Sequence, residues 1–380
     1  MKTLLLCSAA AIALMPSFAS AQSAHDHNHD HHAHMDHAQM NHAEMSNIDH
    51  SAHHHSGLEA PAGIMGDHLH KQGEWMLSYR YMHMNMDGNR DGTDELSARE
   101  ISGDFANNTG VGPATLRIVP TEMDMDMHMV SAMYGLTDDV TLMVMGSYHD
   151  KEMDHITFAG GDPDLEIGRF TTNTSGLGDT KVSGLFRAYE EGNHLVVAKA
   201  GLSLPSGSIT ETDTILNPMG AAQTVRLPYA MQLGSGTFDL EPAITYSGHA
   251  DDFGWGAQYA AQIRLGENDE NYTLGDKHTM NVWGAYRWND MVQNSLRLSA
   301  EREGQIDGSD ANIGGPVQTA QPENYGGDRV ELSLGTTLSG QGDMAGHVIG
   351  AEFTAPLYQD LNGPQMQRDH SISVRYQRRF

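Results

Sequence analysis

From about residue 75 to residue 380, apolar and polar side chains alternate with a period of two, interrupted by segments rich in Gly, Asp and Asn. That period is the mark of strands that show one face to an apolar medium and the other to a polar one. Twelve strands are predicted, near 75–86, 122–136, 140–149, 180–189, 195–204, 236–247, 253–265, 278–288, 292–302, 329–338, 347–357 and 371–380. Short connections (137–139, 190–194, 248–252, 289–291, 339–346) alternate with long ones (87–121, 150–179, 205–235, 266–277, 303–328, 358–370). In the seventh strand Phe253, Trp255, Ala257, Tyr259, Ala261, Ile263 and Leu265 share a face opposite Gln258, Gln262 and Arg264. In the ninth, Val292, Leu296, Leu298 and Ala300 oppose Gln293, Ser295, Arg297, Ser299 and Glu301. One-sided loop lengths and two-faced strands predict an all-β fold, a transmembrane antiparallel β-barrel of about twelve strands with lipid outside and a wet lumen.

The ends of the strands agree with a membrane. Trp75, Tyr134, Tyr246, Trp255 and Trp288 fall near the short-turn ends, where an aromatic girdle belongs. The final strand carries Ile372, Val374, Tyr376, Arg378 and Phe380 on one face, a terminal pattern resembling the signal by which the outer-membrane assembly machinery recognises its barrels. At the other end, Lys2, the apolar run Leu4–Met15 and the small residues Ala19-Ser20-Ala21 read as a signal peptide, residues 1–21. Residues 22–72 are rich in His, Asp, Ala and Met and too poor in large apolar side chains to offset ordering entropy, so a disordered tail is expected there. The barrel is assigned to residues 73–380. An even strand count would place the tail in the periplasm and the long loops outside the cell.

Charge and cysteine usage narrow the chemistry. The formal net charge is -28, which disfavours nucleic acid and attracts cations. The only cysteine, Cys7, lies in the signal peptide, so thiol ligation and thiol catalysis are excluded from the remainder. The tail instead carries His25, His27, His29, His31, His32, His34, His37, His42, His50, His53, His54 and His55, with Met35, Met40 and Met45 among them. Imidazoles at this density bind Cu(II), Zn(II) or Ni(II) with little selectivity and release them as they protonate.

A second set of soft ligands lies on the barrel. Met82, Met84 and Met86 fall on the lumen parity of the first strand, Met123, Met125, Met127 and Met129 on that of the second, and Met143, Met145 and His149 on that of the third, with Met153 just beyond. Strand direction brings the upper members to the long-loop mouth. Thioethers select soft cations such as Cu(I) or Ag(I) and, having no proton to lose, bind at acidic pH. The competing use is packing, because methionine fills irregular space well. The other inward positions, Lys181, Arg187, Lys199, Asp239, Glu241, Arg264, Arg287, Arg297, Glu301, Glu331, Glu352, Arg375 and Arg379, carry both signs and are expected to pair across strands as a stiffening ladder.

Two further motifs are weaker. Asp87-Gly88-Asn89-Arg90-Asp91-Gly92 opens like a calcium loop, but Ala98 stands where the bidentate Glu belongs, so an ordinary outer loop is expected. No G-x-S-x-G, H-E-x-x-H or phosphate-binding loop occurs, and neither an enzyme activity nor an organic cofactor is predicted.

The segments Gly176-Leu177-Gly178-Asp179, Gly201-Leu202-Ser203-Leu204-Pro205-Ser206-Gly207 and Leu233-Gly234-Ser235-Gly236 resemble a large family of bacterial outer-membrane proteins described as transporters or MetA-pathway phenol-degradation proteins. The resemblance spans roughly residues 63–380 and implies a barrel with a transport role, with hydrophobic compounds as cargo in some members. The tail resembles that of the copper-resistance B outer-membrane proteins. The leading expectation is an outer-membrane protein that binds copper, or silver, for transport or resistance, with periplasmic copper carriers as partners. The alternatives are a general transporter of small hydrophobic compounds and a non-conducting, metal-sequestering surface protein.

Overall fold

A computed structural model describes residues 58–380. The wall strands are labelled in chain order: β1 Trp75–Gly92, β2 Ile118–Thr137, β3 Val140–Ala159, β4 Thr180–Glu191, β5 His194–Leu204, β6 Ala243–Ala250, β7 Phe253–Leu265, β8 Lys277–Arg287, β9 Val292–Glu303 and β10 Gly327–Ser339. A last run, His347–Arg379, returns to β1. Every neighbouring pair is antiparallel and the sheet closes on itself. Eleven runs cannot close an antiparallel ring, because direction must alternate all the way round. The last run is therefore a hairpin: Leu361 pairs with Gly327 of β10 and with Gly92 of β1. Its arms, β11 (347–361) and β12 (365–379), reverse at Asn362-Gly363-Pro364, where Gly363 takes the positive φ of 59° that the turn demands. The Gln359 side chain clamps the arms through both backbone groups of Arg368. The wall thus has the twelve staves the alternation predicts.

Outward positions form an apolar belt, including Leu77, Val130, Val144, Phe186, Ile244, Val282, Leu296, Leu334, Phe353 and Ile372, all solvent-exposed in the isolated chain. Val130, for example, is 61% exposed, whereas Met133, on the opposite face of β2, is 3% exposed. Such a belt is stable only against hydrocarbon. The Trp75 and Tyr134 rings meet at 4.7 Å at the short-turn end, and Trp255 and Trp288 contact Phe253 and Tyr286 there. The girdle predicted from sequence is present.

Two expectations change. Segment 150–179 is largely strand rather than loop, and 87–121 is strand at both ends with a short helix between. β1, β2 and β3 continue upward, and Asp162–Leu177 forms a further strand along the upper half of β3. Above the belt the outward positions become Asp150, Glu152 and Asp154, so the alternation persists while its apolar half disappears. Asp87–Gly92 lies within this extended β1 and pairs with Asp94–Leu96; Glu100 completes a capping box with Ser97 on helix α1, Ala98–Asp104. A calcium loop is thereby excluded.

The second change concerns residues 58–72, read from sequence as the end of the tail. They cross the lumen near the short-turn end and bond to staves around much of the wall. Glu59 exchanges backbone hydrogen bonds with the Gln293 side chain on β9, the Ala60 carbonyl accepts from Arg375 on β12, and the Met65 carbonyl accepts from Gln258 on β7. The His70 amide donates to Thr141 on β3. Ile64 packs on Ala60 and Trp283, and Leu69 drops into a socket of Met76, Met133, Met143, Leu185 and Val197. Two large buried side chains and these polar anchors suffice to order a segment that looks featureless by composition.

Candidate binding site

The methionines predicted to face inward do so, and in register. Across β1, β2 and β3 the rows are Met86–Met123–Met153, Met84–Met125–Lys151, Met82–Met127–His149 and Arg80–Met129–Ser147. Met145 lies opposite Ser131, and Met143 opposite Met133. The ladder divides into three zones. At the bottom Met143 belongs to the socket that holds Leu69. At the top Met123 and Met153 pack with Leu227, Met231 and Met366, and with Met86 at their edge. Between these, Met82, Met84, Met125 and Met127 are half-buried and belong to neither cluster, while Met129 and Met145 are buried. His149 accepts or donates one bond with Ser147 and leaves Nδ1 without a protein partner. Lys151 is buried and donates to the Ala230 and Gln232 carbonyls at 2.9 and 2.6 Å. Among the described residues no group of three His, Cys, Asp or Glu is placed to hold a metal ion. The twelve tail histidines, with Met35, Met40 and Met45, lie outside the described residues, as does the signal peptide.

The inward charges pair as expected. Lys181 and Lys199 reach Glu241, Arg264 reaches Asp239, and Arg297 reaches Glu352. Arg329, Arg368 and Lys277 converge on Glu301. These pairs cross the lumen side of the wall and hold few cations free.

Above the belt the long segments fold into a cap with its own core. Tyr229, Tyr272, Ile306, Ile313 and Val317 pack together with Ile118 of β2. Tyr229 meets Tyr272 and Tyr325 edge-on, at 4.8 and 5.7 Å between ring centres. The hairpin of Thr212–Leu216 and Ala222–Arg226 leans on the Asp162–Leu177 strand, where the Asp213 carboxylate accepts from the Asn173 amide. Its base is tied by the three segments that carry the family resemblance. Asp179 accepts from the Gly207 amide, the Ser235 amide and the Ser235 hydroxyl. Gly207 and Gly234 approach so closely that a Cβ on Gly207 would lie 2.7 Å from the Gly234 Cα. Those glycines thus serve a close backbone crossing at the rim of the barrel.

Between cap and wall lies a cavity of about 560 Å³. Its lining is mainly apolar: Ile118, Phe170, Ile215, Val225, Leu227, Pro228 and Val317 among others. Leu227 also belongs to the upper methionine cluster, and Ile215 packs against it, so the cavity abuts the methionine wall. Two buried polar atoms in the lining have no protein partner, His155 Nδ1 and Thr172 Oγ1. An unpaired buried polar atom costs about 1–3 kcal/mol. His155 stacks flat on Phe170, with ring centres 4.5 Å apart. It stands above the belt, and burial pushes its pKa down to about 4, so the ring is neutral at pH 7. Arg226 also lines the cavity, but its charge is engaged by Asp310 at 2.7 Å and Glu270 at 3.4 Å.

His155, Phe170 and Thr172 were not picked out from sequence. Continuing the inward parity of β3 past His149 through Lys151 and Met153 reaches His155, so part of the signal was present. Phe170 and Thr172 sit on a strand that period alone did not separate from a loop.

No family model matches the chain, and no curated protein does. Among solved structures, the COG4313 outer membrane channel from Pseudomonas putida F1 is 15% identical over 83% of this chain and 98% of that one, with a TM-score of 0.55. The P. putida toluene transporter TodX is 9% identical over 82% and 91% of the two chains, with a TM-score of 0.42. The Ralstonia pickettii toluene transporter TbuX is 12% identical over 82% and 90%, with a TM-score of 0.39. At 15% identity the first likeness is one of fold alone: a closed antiparallel β-barrel.

Proposed function

We propose that this chain is an outer-membrane channel that admits small, largely apolar compounds through the capped mouth, with its short-turn end and residue 58 on the periplasmic side. The observation that carries this reading is the cavity of about 560 Å³ beneath the cap, apolar over most of its wall and backed by methionines. Its size falls within the roughly 300–1,000 Å³ of small-molecule sites. The barrel fold shared with an outer membrane channel supports the same reading. Ion conduction is opposed by the segment 58–72 across the lumen, so the cargo is better sought among compounds that partition into apolar surroundings. The test is uptake of labelled toluene at low external concentration by cells with and without the gene. Faster uptake with the gene is expected; equal rates would sink the reading.

A second reading is soft-metal handling. It rests on Met82, Met84, Met125 and Met127, in register and outside the packed clusters. Lys151, in the row of Met84 and Met125, and Arg80, in the row below Met82 and Met127, place positive charge beside that site and count against it. Cu(I) or Ag(I) bound by the full chain should lose sulfur neighbours in X-ray absorption when the four are changed together to Leu. An unchanged sulfur shell would leave the metal to the tail, whose imidazoles are proposed to take Cu(II) or Zn(II).

A further inference from the structure

The cavity under the cap holds more than an apolar wall. Thr172 and Phe170 are alternate residues on the same face of the Asp162–Leu177 strand, and His155 pairs with Phe170 across from it. Thr172 is therefore the diagonal neighbour of His155, at a backbone separation of roughly 7–8 Å. Both side chains are nine-tenths or more buried, both line the cavity, and His155 Nδ1 and Thr172 Oγ1 have no partner in the protein.

We infer that this site takes neutral, largely apolar compounds bearing one hydroxyl group, and that His155 and Thr172 together read that group. The inference rests on the channel reading above and adds its specificity. A threonine hydroxyl both donates and accepts, and a neutral imidazole does one or the other at Nδ1. A ligand hydroxyl can donate to one of these atoms and accept from the other, which satisfies both. A bare hydrocarbon leaves both unpaired. A carboxylate would bring a charge into an apolar site whose one lining cation, Arg226, is already matched by Asp310 and Glu270. The flat His155–Phe170 stack presents ring surface beside the polar pair, which suits a compact cyclic body.

The experiment is a binding titration of the full chain in detergent with toluene, benzyl alcohol and benzoate, for the wild type and for Thr172→Val, Thr172→Ser and His155→Phe. Each neutral hydrogen bond is worth a factor of roughly 2–12. The ratio of benzyl alcohol to toluene affinity should fall by that factor in Thr172→Val and again in His155→Phe, with toluene affinity held. Thr172→Ser, which keeps the hydroxyl, should keep the ratio, and benzoate should bind weakest throughout. A ratio unmoved by Thr172→Val and His155→Phe overturns the inference while leaving a hydrocarbon channel standing. Equal loss in Thr172→Val and Thr172→Ser also overturns it, because packing alone would then explain the effect. Failure of the wild type to bind either neutral probe overturns both this inference and the channel reading.

Discussion

Leu69→Ala is the most direct probe of the segment that crosses the lumen. Leu69 is 5% exposed and fills a socket built by Met76, Met133, Met143, Leu185 and Val197. Removing a buried leucine side chain from such a socket costs about 2–5 kcal/mol. The socket belongs to the barrel wall, which is closed by its own hydrogen bonds whether or not Leu69 is seated. The loss should therefore fall on docking of the segment, with little effect on the barrel. At about 1.4 kcal/mol per decade, the undocked population rises by about 30- to 4,000-fold. In planar bilayers this appears as frequent openings to a larger ion conductance, with faster proteolysis between residues 58 and 74 of the full chain. A mutant with wild-type conductance and wild-type proteolysis would refute the assignment of Leu69 as an anchor. A mutant whose whole barrel melts earlier, with no gain in openings, would refute the independence of segment and wall.

Three other outcomes follow from the same geometry. Burial works against the Asp67 carboxylate, but His68, 3.1 Å away, and Arg375 outweigh it and hold its pKa below the usual range. A depressed carboxylate stabilises the docked segment above its ordinary pKa and loses that contribution only when pH falls through the folded value, so conductance should stay low from pH ~7 to pH ~4 and Asp67→Asn should raise it across that window. Arg297→Met removes the partner of Glu352, a side chain that is 2% exposed, and should destabilise the barrel by about 3–5 kcal/mol, read as a lower unfolding midpoint in detergent. Gly207→Ala forces a Cβ against the Gly234 backbone and should cost about 1–3 kcal/mol locally, read as faster proteolytic cleavage within 205–236 without loss of the barrel.

The wall was legible from sequence because a lipid-facing strand must be apolar at every second position and the lumen need not be. That asymmetry located all twelve staves, including both arms of the last hairpin, and the inward direction of the methionines. It failed where its physical cause ends. Above the belt the outward face turns charged, so the upper half of β3, the ends of β1 and β2 above the belt, and the Asp162–Leu177 strand resembled loops. Residues 58–72 were missed for a different reason. Their stability comes from side chains of distant staves, such as Gln293, Gln258 and Arg375, bonding to their backbone, and no local pattern records that. The cavity depends on cap segments separated by up to two hundred residues in sequence, so only Leu227, Ile215 and their neighbours in space reveal it.

The methionine ladder is where composition and structure pull apart. Softness suggested metal, and twelve inward thioethers on three adjacent strands are a large number to leave to chance. Position gives half of them another cause. The lower ones receive Leu69, and the upper ones meet Leu227 and Met231 beneath the cavity. Both are contacts between the wall and a separate segment packed on it, residues 58–72 below and the cap above. Leucine would pack such contacts in one shape. Methionine, unbranched and polarizable, keeps contact with several shapes and favours aromatic faces. On the channel reading proposed above, a wall that seals against a docked segment and passes compounds of varied outline would select thioethers without any metal. Half-buried Met82, Met84, Met125 and Met127, with buried Met129 and Met145, lie outside both clusters and escape that account. Changing Met82, Met84, Met125 and Met127 to Leu should then slow uptake of bulky compounds more than small ones if adaptability is their role, and change metal binding alone if softness is.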